Sequence, residues 1–317
     1  MQPHHHPREE RSVKVAALAG GVGGAKLLVG LAAALGSNLT AIVNTGDDDD
    51  LYGVRICPDL DIVTYWLAGI ADERRGWGIK GDSFTVVDSL GALGAQTWFR
   101  LGDRDFATCI HRTRRLIEGV ALSHATDEIR RALGVRSQVI PMTDDDVRTQ
   151  IVSRDGERMA FQEYFVRRRA DVEVASVEFS GIDDAKPAPG VIDAIASADR
   201  VIVCPSNPVV SVAPILSLPG VQEALASHPL VVAVTPIVRG APLKGPADRL
   251  LNGLGVEVSA SGVARLYSGW CNHFVVDSSD ASEASATERA GMRAVLLDTV
   301  MSDRVASARL AESLLVL

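Results

Sequence analysis

The chain has 317 residues, 47% of them hydrophobic and 23% charged, and carries a formal net charge of −8. This composition excludes a wholly disordered chain and allows one large α/β domain or a domain with an insertion. The acidic balance and an aromatic content of 5% exclude broad electrostatic or stacking contact with nucleic acid, and argue against an anionic membrane surface.

Residues 1–12, "MQPHHHPREERS", read as a polar, mobile N-terminal arm. The next stretch, "VKVAALAGGVGGAKLLVGLAAALGS", is apolar, but five glycines from Gly20 to Gly30 and a central Lys26 argue against a membrane span or leader. It reads instead as a strand (13–19), a tight turn carrying Gly20, Gly21, Gly23 and Gly24, and an Ala- and Leu-rich helix (25–35). Strand, glycine turn and helix form the opening unit of a doubly wound sheet. Glycines let backbone N–H groups approach a phosphate, the helix N-terminus adds partial positive charge, and Lys26 adds a full one. The pattern is neither a Walker loop nor GxGxxG, so it points to an anion without naming a nucleotide.

A second strand, 39–43, runs into the acidic loop 44–50. A right-handed crossover would make these two strands parallel and set the glycine turn and the aspartates across one crevice. The stretch "VNTGDDDDLYGVRICPDLD" holds six aspartates in nineteen residues. Four adjacent ionised carboxylates cannot all be buried without a cation. Asp48, Asp49 and Asp50 therefore read as a solvated run, and Asp47, nearest the strand end, as a fixed carboxylate. Asp59 and Asp61 follow Pro58 at i, i+2, which puts both on one side of an extended segment or lets one cap a starting helix. One carboxylate from Asp47 and one from Asp61 would suit Mg2+, which takes oxygen ligands and shares its shell with phosphate.

Residues 70–180 change character. "RDFATCIHRTRRLIEG" and "SHATDEIRRALG" read as amphipathic helices ended by Gly119 and Gly134, and "TQIVSRDGERMAFQ" as a hairpin about Asp155 and Gly156. This span is expected to be a mainly helical insertion over the C-terminal edge of the sheet. In "LGDRD", Asp103 or Asp105 would cap a helix, or Arg100 or Arg104 would hold an anionic or planar ligand. Further strands are expected at 200–204, before "PSNPVVS", at 230–234, before Thr235 and Pro236, and in "GVEVSA" and "HFVVDSSD". The core then comprises 13–69 and 181–317, with loops delivered to one sheet edge. Cys57, Cys109, Cys204 and Cys271 contain no CxxC pair and read as reduced, buried thiols of a cytoplasmic protein.

Taken together, "GGVGGAKLL", "NTGDD", "PDLD", "WGI", "LGDRD", "VIPMTDD", "PSNPVVS" and "GPADRL" resemble the 2-phospho-L-lactate transferase (CofD) family, in order and at similar spacing from about residue 13 to 310. The resemblance implies an α/β, Rossmann-like enzyme of coenzyme F-420 biosynthesis and a homodimer. Such an enzyme moves a phospholactate, phosphoenolpyruvate or 3-phosphoglycerate unit from its guanosine-diphosphate-activated form to the ribityl hydroxyl of the deazaflavin Fo, releasing GMP. It further implies that Gly20, Gly21, Gly23, Gly24, Lys26, Asn44, Ser206, Asn207 and Thr235 hold the nucleotide and that Asp47 and Asp61 hold Mg2+. Asp61, Arg100 and Asp48 would face the deazaflavin, with Asp61 and Asp47 as the catalytic carboxylates and Asp61 as proton acceptor. The four aspartates after Gly46 depart from the family's two acidic residues followed by an apolar one. A gluconeogenesis-factor (YvcK-like) protein, which binds a nucleotide sugar without transferase activity, is the alternative; "PDLD" and "LGDRD" favour the transferases.

Overall fold

The computed structural model describes residues 13–317; the arm expected at 1–12 lies outside the described residues. In chain order, β1 (Val15–Ala19), α1 (Gly21–Leu35) and β2 (Leu39–Val43) form the expected opening unit. A short hairpin of β3 (Asp49–Leu51) and β4 (Val54–Ile56) leads into α2 (Pro58–Leu67), followed by α3 (Thr85–Ala92), α4 (Asp103–Ile117) and α5 (Leu122–Ala132). Then come β5 (Gln138–Pro141), β6 (Arg148–Ser153), β7 (Arg158–Ala160) and β8 (Val174–Ser180). The return half runs α6 (Val191–Ser197), β9 (Arg200–Val203), α7 (Ala213–Leu216), α8 (Val221–Ser227), β10 (Val231–Val234), and the two-residue strands β11 (Ile237–Val238) and β12 (Ala241–Pro242). It closes with α9 (Ala247–Gly253), α10 (Ala260–Leu266), β13 (His273–Asp277), α11 (Ala284–Arg289), β14 (Arg293–Leu297) and α12 (Arg304–Leu315).

Seven strands make one sheet in the order β14-β13-β10-β9-β1-β2-β5, and every neighbouring pair is parallel. Parallel strands covered on both faces are apolar throughout, as in β1, where all five residues are buried. Period-2 alternation assigns the faces. Val15, Ala17 and Ala19 pack under α1, α2 and α12 with Leu27, Leu28, Leu31, Val63, Leu310 and Leu314. Ala16 and Leu18 pack with Val191, Ile195, Val221, Leu225, Leu250 and Val263 from the helices of the other layer. Among the described residues no single helix is long and apolar enough to cross a membrane. The bent pair 208–216 and 221–227 is core packing, with Val212, Ile215, Val221 and Leu225 fully buried.

Three expectations are corrected. The segment 70–180 is not entirely an insertion, because β5 pairs with β2 as the edge strand of the main sheet. The rest of that segment supplies α3, α4, α5 and the antiparallel sheet β7-β6-β8, which contains the expected hairpin. "GVEVSA" is not a strand: Val256 N donates to Leu251 O, and Ser259 Oγ accepts from Gly262 N at 2.9 Å as the N-cap of α10. Capping chemistry wins over a two-residue β-branched alternation. In "LGDRD" neither aspartate caps its own helix. Asp103 accepts from Val86 N at the start of α3, while Asp82, just before α3, accepts from Arg104 N and Asp105 N at the start of α4. The two helix starts thereby lock each other.

Candidate active site

The chain leaves β1 toward β2 and β5 on one side and returns through β9 toward β10, β13 and β14 on the other. The C-terminal ends of β1 and β9 therefore bound a switch-point crevice, where open α/β sheets bind ligands. The turn after β1 and the loop after β9 are bolted together there. Gly20 N donates to Ser206 Oγ at 3.0 Å, and Ser206 Oγ donates to Gly20 O at 2.8 Å. A side chain at Gly23 would collide with the Pro205 carbonyl, and one at Gly24 would lie 2.7 Å from Ser206 Oγ. Gly21 has φ +62°, a conformation that favours glycine, as α1 begins. Ser206 is thus a structural bolt. Asn207 Oδ1 accepts from Val209 N at 3.0 Å and caps the short helical turn at 208–212.

The acidic loop meets this turn from the β2 side. Asn44, fully buried, donates from Nδ2 to Asp59 Oδ2 at 2.9 Å and accepts from Gly46 N at 2.9 Å. Gly21 N donates to Asp59 Oδ1 at 2.7 Å. Asp59, not Asp61, is the carboxylate whose charge acts on Asp47. Burial first, and Asp59 next, push the Asp47 carboxyl well above the usual range; burial raises Asp59 to about 6 against the bonds from Asn44 and Gly21. Helix phase separates Asp59 from Asp61. Pro58 starts α2, and residues i, i+2 on a helix point about 200° apart.

Asp61 turns instead to α4. Both of its oxygens accept from Arg112, Oδ2 from Nη1 at 3.1 Å and Oδ1 from Nη2, with Arg112 1% exposed and Asp61 6% exposed. Burial opposes the Arg112 charge, yet the Asp61 carboxylate overrides it and holds the guanidinium well above its usual pKa. Beside this pair Asp105 accepts from Tyr65 OH at 2.7 Å; burial and then the Asp61 charge raise Asp105 to about 7. Asp61, Asp105 and Cys109 place ligand-type atoms within 4.8 Å of one another. A cation there would compete with Arg112 for Asp61, and burial pushes the Cys109 thiol well above its usual pKa, so this is an ion-pair network.

The expected solvated run divides. Asp50 is exposed and pairs with Arg55 at 2.8 Å and Arg148 at 3.1 Å. Asp48 is buried, and Cys57 Sγ donates to its Oδ2 at 2.9 Å; burial raises Asp48 to about 7. Asp48 sits behind the cavity wall, bonded to Cys57, rather than in its lining. All four cysteines are free and buried.

These elements enclose a cavity of about 570 Å³. Its lining includes Gly20, Gly21, Gly23, Lys26, Asn207 and Thr235 and the carboxylates Asp47, Asp59, Asp61 and Asp105. Lys26 Nζ donates to Met301 O at 2.8 Å, and Thr235 Oγ1 to Ile237 O at 3.0 Å. Arg75, Trp77, Phe99, Arg100, Phe161 and Phe165 also line the cavity. Arg100, paired with Asp88 at 2.6 Å, lies 4.7 Å from the centre of Phe84, and Arg75 lies 4.9 Å from that of Trp77. Phe161 and Phe165 stack at 5.6 Å and 11°. Asn44, Gly24 and Ser206 hold the walls from behind rather than lining the cavity. Sequence reasoning missed Arg112, Tyr65, Phe161 and Phe165, and treated Asp105 only as a cap. Tyr65 and Arg112 converge from α2 and α4, which no spacing records, whereas Phe161 and Phe165 are an i, i+4 pair on one helical turn, a spacing that marks them.

The residues fit a divalent cation at Asp47 and Asp59. Asp47 Oδ1 is buried with no hydrogen-bond partner, and the charge of a second buried carboxylate, Asp59, acts on it. A stability prediction follows. Folded-state values raised to about 6 and about 7 mean that the folded chain keeps protons the unfolded chain releases. That contribution is complete below an unfolded value of about 4 and is lost as pH rises through about 7. Thermal midpoints in a chelator are expected to fall over this window, and Mg2+ to restore them, more strongly at higher pH. A Mg2+ response that is flat with pH would contradict the assignment.

The family model described as 2-phospho-L-lactate transferase CofD matches residues 15–313. A phosphoenolpyruvate transferase of Streptomyces griseus is 46% identical over 312 residues, covering 96% of this chain and 98% of that one. A 2-phospho-L-lactate transferase of Methanosarcina mazei is 38% identical over 294 residues, covering 92% and 96%. A protein member of the UPF0052 family from Bacillus halodurans shares the fold, with TM-score 0.63 at 18% identity over 96% of this chain and 99% of that one.

Proposed function

The chain belongs to the CofD family of 2-phospho-L-lactate transferases, and from that membership we propose that it transfers a phosphoenolpyruvate unit from a guanosine-diphosphate-activated donor to the terminal ribityl hydroxyl of the deazaflavin Fo, releasing GMP, in coenzyme F-420 biosynthesis. The observation that supports this reading is the make-up of the cavity: the glycine turn and Lys26, which suit a diphosphate, aromatic side chains with Arg75 and Arg100, which suit a flat ring system, and the carboxylates all line one space. The enolpyruvyl choice rests on the greater identity to the relatives named phosphoenolpyruvate transferases.

In this mechanism the hydroxyl oxygen bonds to the phosphorus bearing the three-carbon acid, and the bond from that phosphorus to the diphosphate bridging oxygen breaks. GMP leaves with that oxygen. Asp47 and Asp59 would hold Mg2+, which when bound supplies charge neutralisation for the diphosphate. Lys26 presents positive charge to the same group, and the aromatic side chains orient the acceptor. Asp61, the proton acceptor expected from sequence, has both oxygens on Arg112. Asp105, on the cavity wall and poised near 7, is therefore the acceptor of the hydroxyl proton. Beside it Arg112 offsets part of the Asp61 charge, so burial remains the first cause of the raised Asp105 carboxyl.

The test supplies purified protein with Mg2+, Fo and each guanosine-diphosphate donor in turn. GMP and the dehydro product are expected with the enolpyruvyl donor. Preference for the phospholactyl donor would overturn the choice of acid, and no GMP from any donor would overturn the transferase reading.

A further inference from the structure

The proposed reaction requires an anionic diphosphate to enter a cavity whose lining includes Asp47, Asp59, Asp61 and Asp105. The cavity has four cationic side chains. Arg75 is paired with Asp72 at 2.9 Å and Arg100 with Asp88 at 2.6 Å. Lys26 and Lys244 have no carboxylate within ion-pair distance among the described residues. Lys26 donates to the Met301 carbonyl at 2.8 Å and Lys244 to the Arg75 carbonyl at 3.3 Å. Backbone carbonyls hold an ammonium in place without cancelling its charge.

Lys244 comes from the loop between β12 and α9, far along the chain from the glycine turn. Pro242, Leu243, Lys244, Gly245 and Pro246 all line the cavity, so this loop forms part of its wall. The Lys244 ammonium has a definite seat. A Cβ built on Gly76 would lie 2.7 Å from Lys244 Nζ and 3.2 Å from Val22 Cγ2. The ammonium and the Val22 side chain, one residue into α1, thus share the space over a backbone bend with φ +90° that leaves room for them. Trp66 Nε1 donates to the Gly76 carbonyl at 3.2 Å and pins that bend to α2.

We propose that Lys244 is a specificity-determining residue, the second cation of a diphosphate seat whose first cation is Lys26. The inference rests on the nucleotide reading above and extends it to a residue outside every motif quoted from the sequence. The two ammoniums act on one volume: burial first, then Lys244, lowers the pKa of Lys26. Two adjacent phosphoryl groups can meet both charges and relieve their repulsion, whereas a single phosphoryl group meets one. The seat should therefore favour a nucleoside diphosphate over a monophosphate. It would hold the activated donor and let GMP go once the diphosphate is broken.

The experiment is calorimetric titration of the full chain and its Lys244→Met and Lys244→Arg variants with inorganic pyrophosphate, GDP and GMP at constant Mg2+. Lys244→Met is expected to weaken pyrophosphate and GDP about tenfold and to change GMP by less than about twofold. Lys244→Arg should restore most of the loss, and an unchanged thermal midpoint shows that the fold is intact. Unaltered pyrophosphate and GDP affinity in Lys244→Met overturns the proposal, as does an equal loss for GMP and GDP, or a parent that binds neither pyrophosphate nor GDP. A parent that binds pyrophosphate but not GDP refutes the guanosine reading, and the Lys244 comparison is then decided on pyrophosphate.

Discussion

Replacing Asp59 with asparagine is expected to lower turnover about a thousandfold, whereas Asp50→Asn changes it less than about twofold. Asp59 accepts from Gly21 N and Asn44 Nδ2, and its charge acts on Asp47, whose buried Oδ1 has no hydrogen-bond partner. An asparagine oxygen can still accept from Gly21 N, which holds the glycine turn, but its amide nitrogen meets the Asn44 Nδ2 donor and that bond is lost. Also lost is the negative charge that acts on Asp47, and with it the ability to share a divalent cation. Asp50 is exposed and serves two surface arginines, a kind of pair that contributes little. Two measurements check this: turnover with the enolpyruvyl donor and Fo, and the Mg2+-induced rise in thermal midpoint, which should shrink in Asp59→Asn. Turnover within about tenfold of the parent, with an intact Mg2+ response, would remove Asp59 from the metal pair.

Arg112→Met is expected to cost about 3–5 kcal/mol of stability. The change strands Asp61 in a site where it is 6% exposed and has lost both of its guanidinium bonds. Asp61→Leu alone strands the guanidinium, at a similar cost. The double variant Asp61→Leu/Arg112→Met replaces the ion pair by apolar volume and is expected to regain most of the stability, since buried pairs are dear to break and cheap to replace whole. Its activity stays low, because Asp61 lines the cavity beside Asp105. Urea unfolding of the four proteins gives the coupling. Strictly additive losses would show that the two side chains do not act as a pair.

Much of the fold is legible in local patterns. The fully apolar strands β1 and β10, with β9 apolar after its leading Arg200, announce a parallel sheet covered on both faces, and the glycine turn after β1 marks where its edge receives a ligand. Short signals misled where a competing local bond was available, as at Ser259, whose capping of α10 displaced a strand reading of "GVEVSA". They also missed β5, whose membership of the main sheet depends on pairing with β2 from nearly a hundred residues away.

The sequence by itself determined the α/β class, the family, the glycine turn after β1 and the concentration of carboxylates opposite it. These are short-range properties, set by side-chain period, backbone freedom and the order of elements. The tertiary structure alone decided which carboxylate partners which. Starting α2 at Pro58 rotates Asp59 toward the glycine turn and Asp61 toward Arg112, so two aspartates one residue apart take different roles. It also buried Asp48 on Cys57, left Asp50 exposed, and brought Lys244 to Val22. Such pairings depend on helix phase and on contacts between distant segments. No residue spacing records them, because packing, not chain order, sets which charges share a cavity.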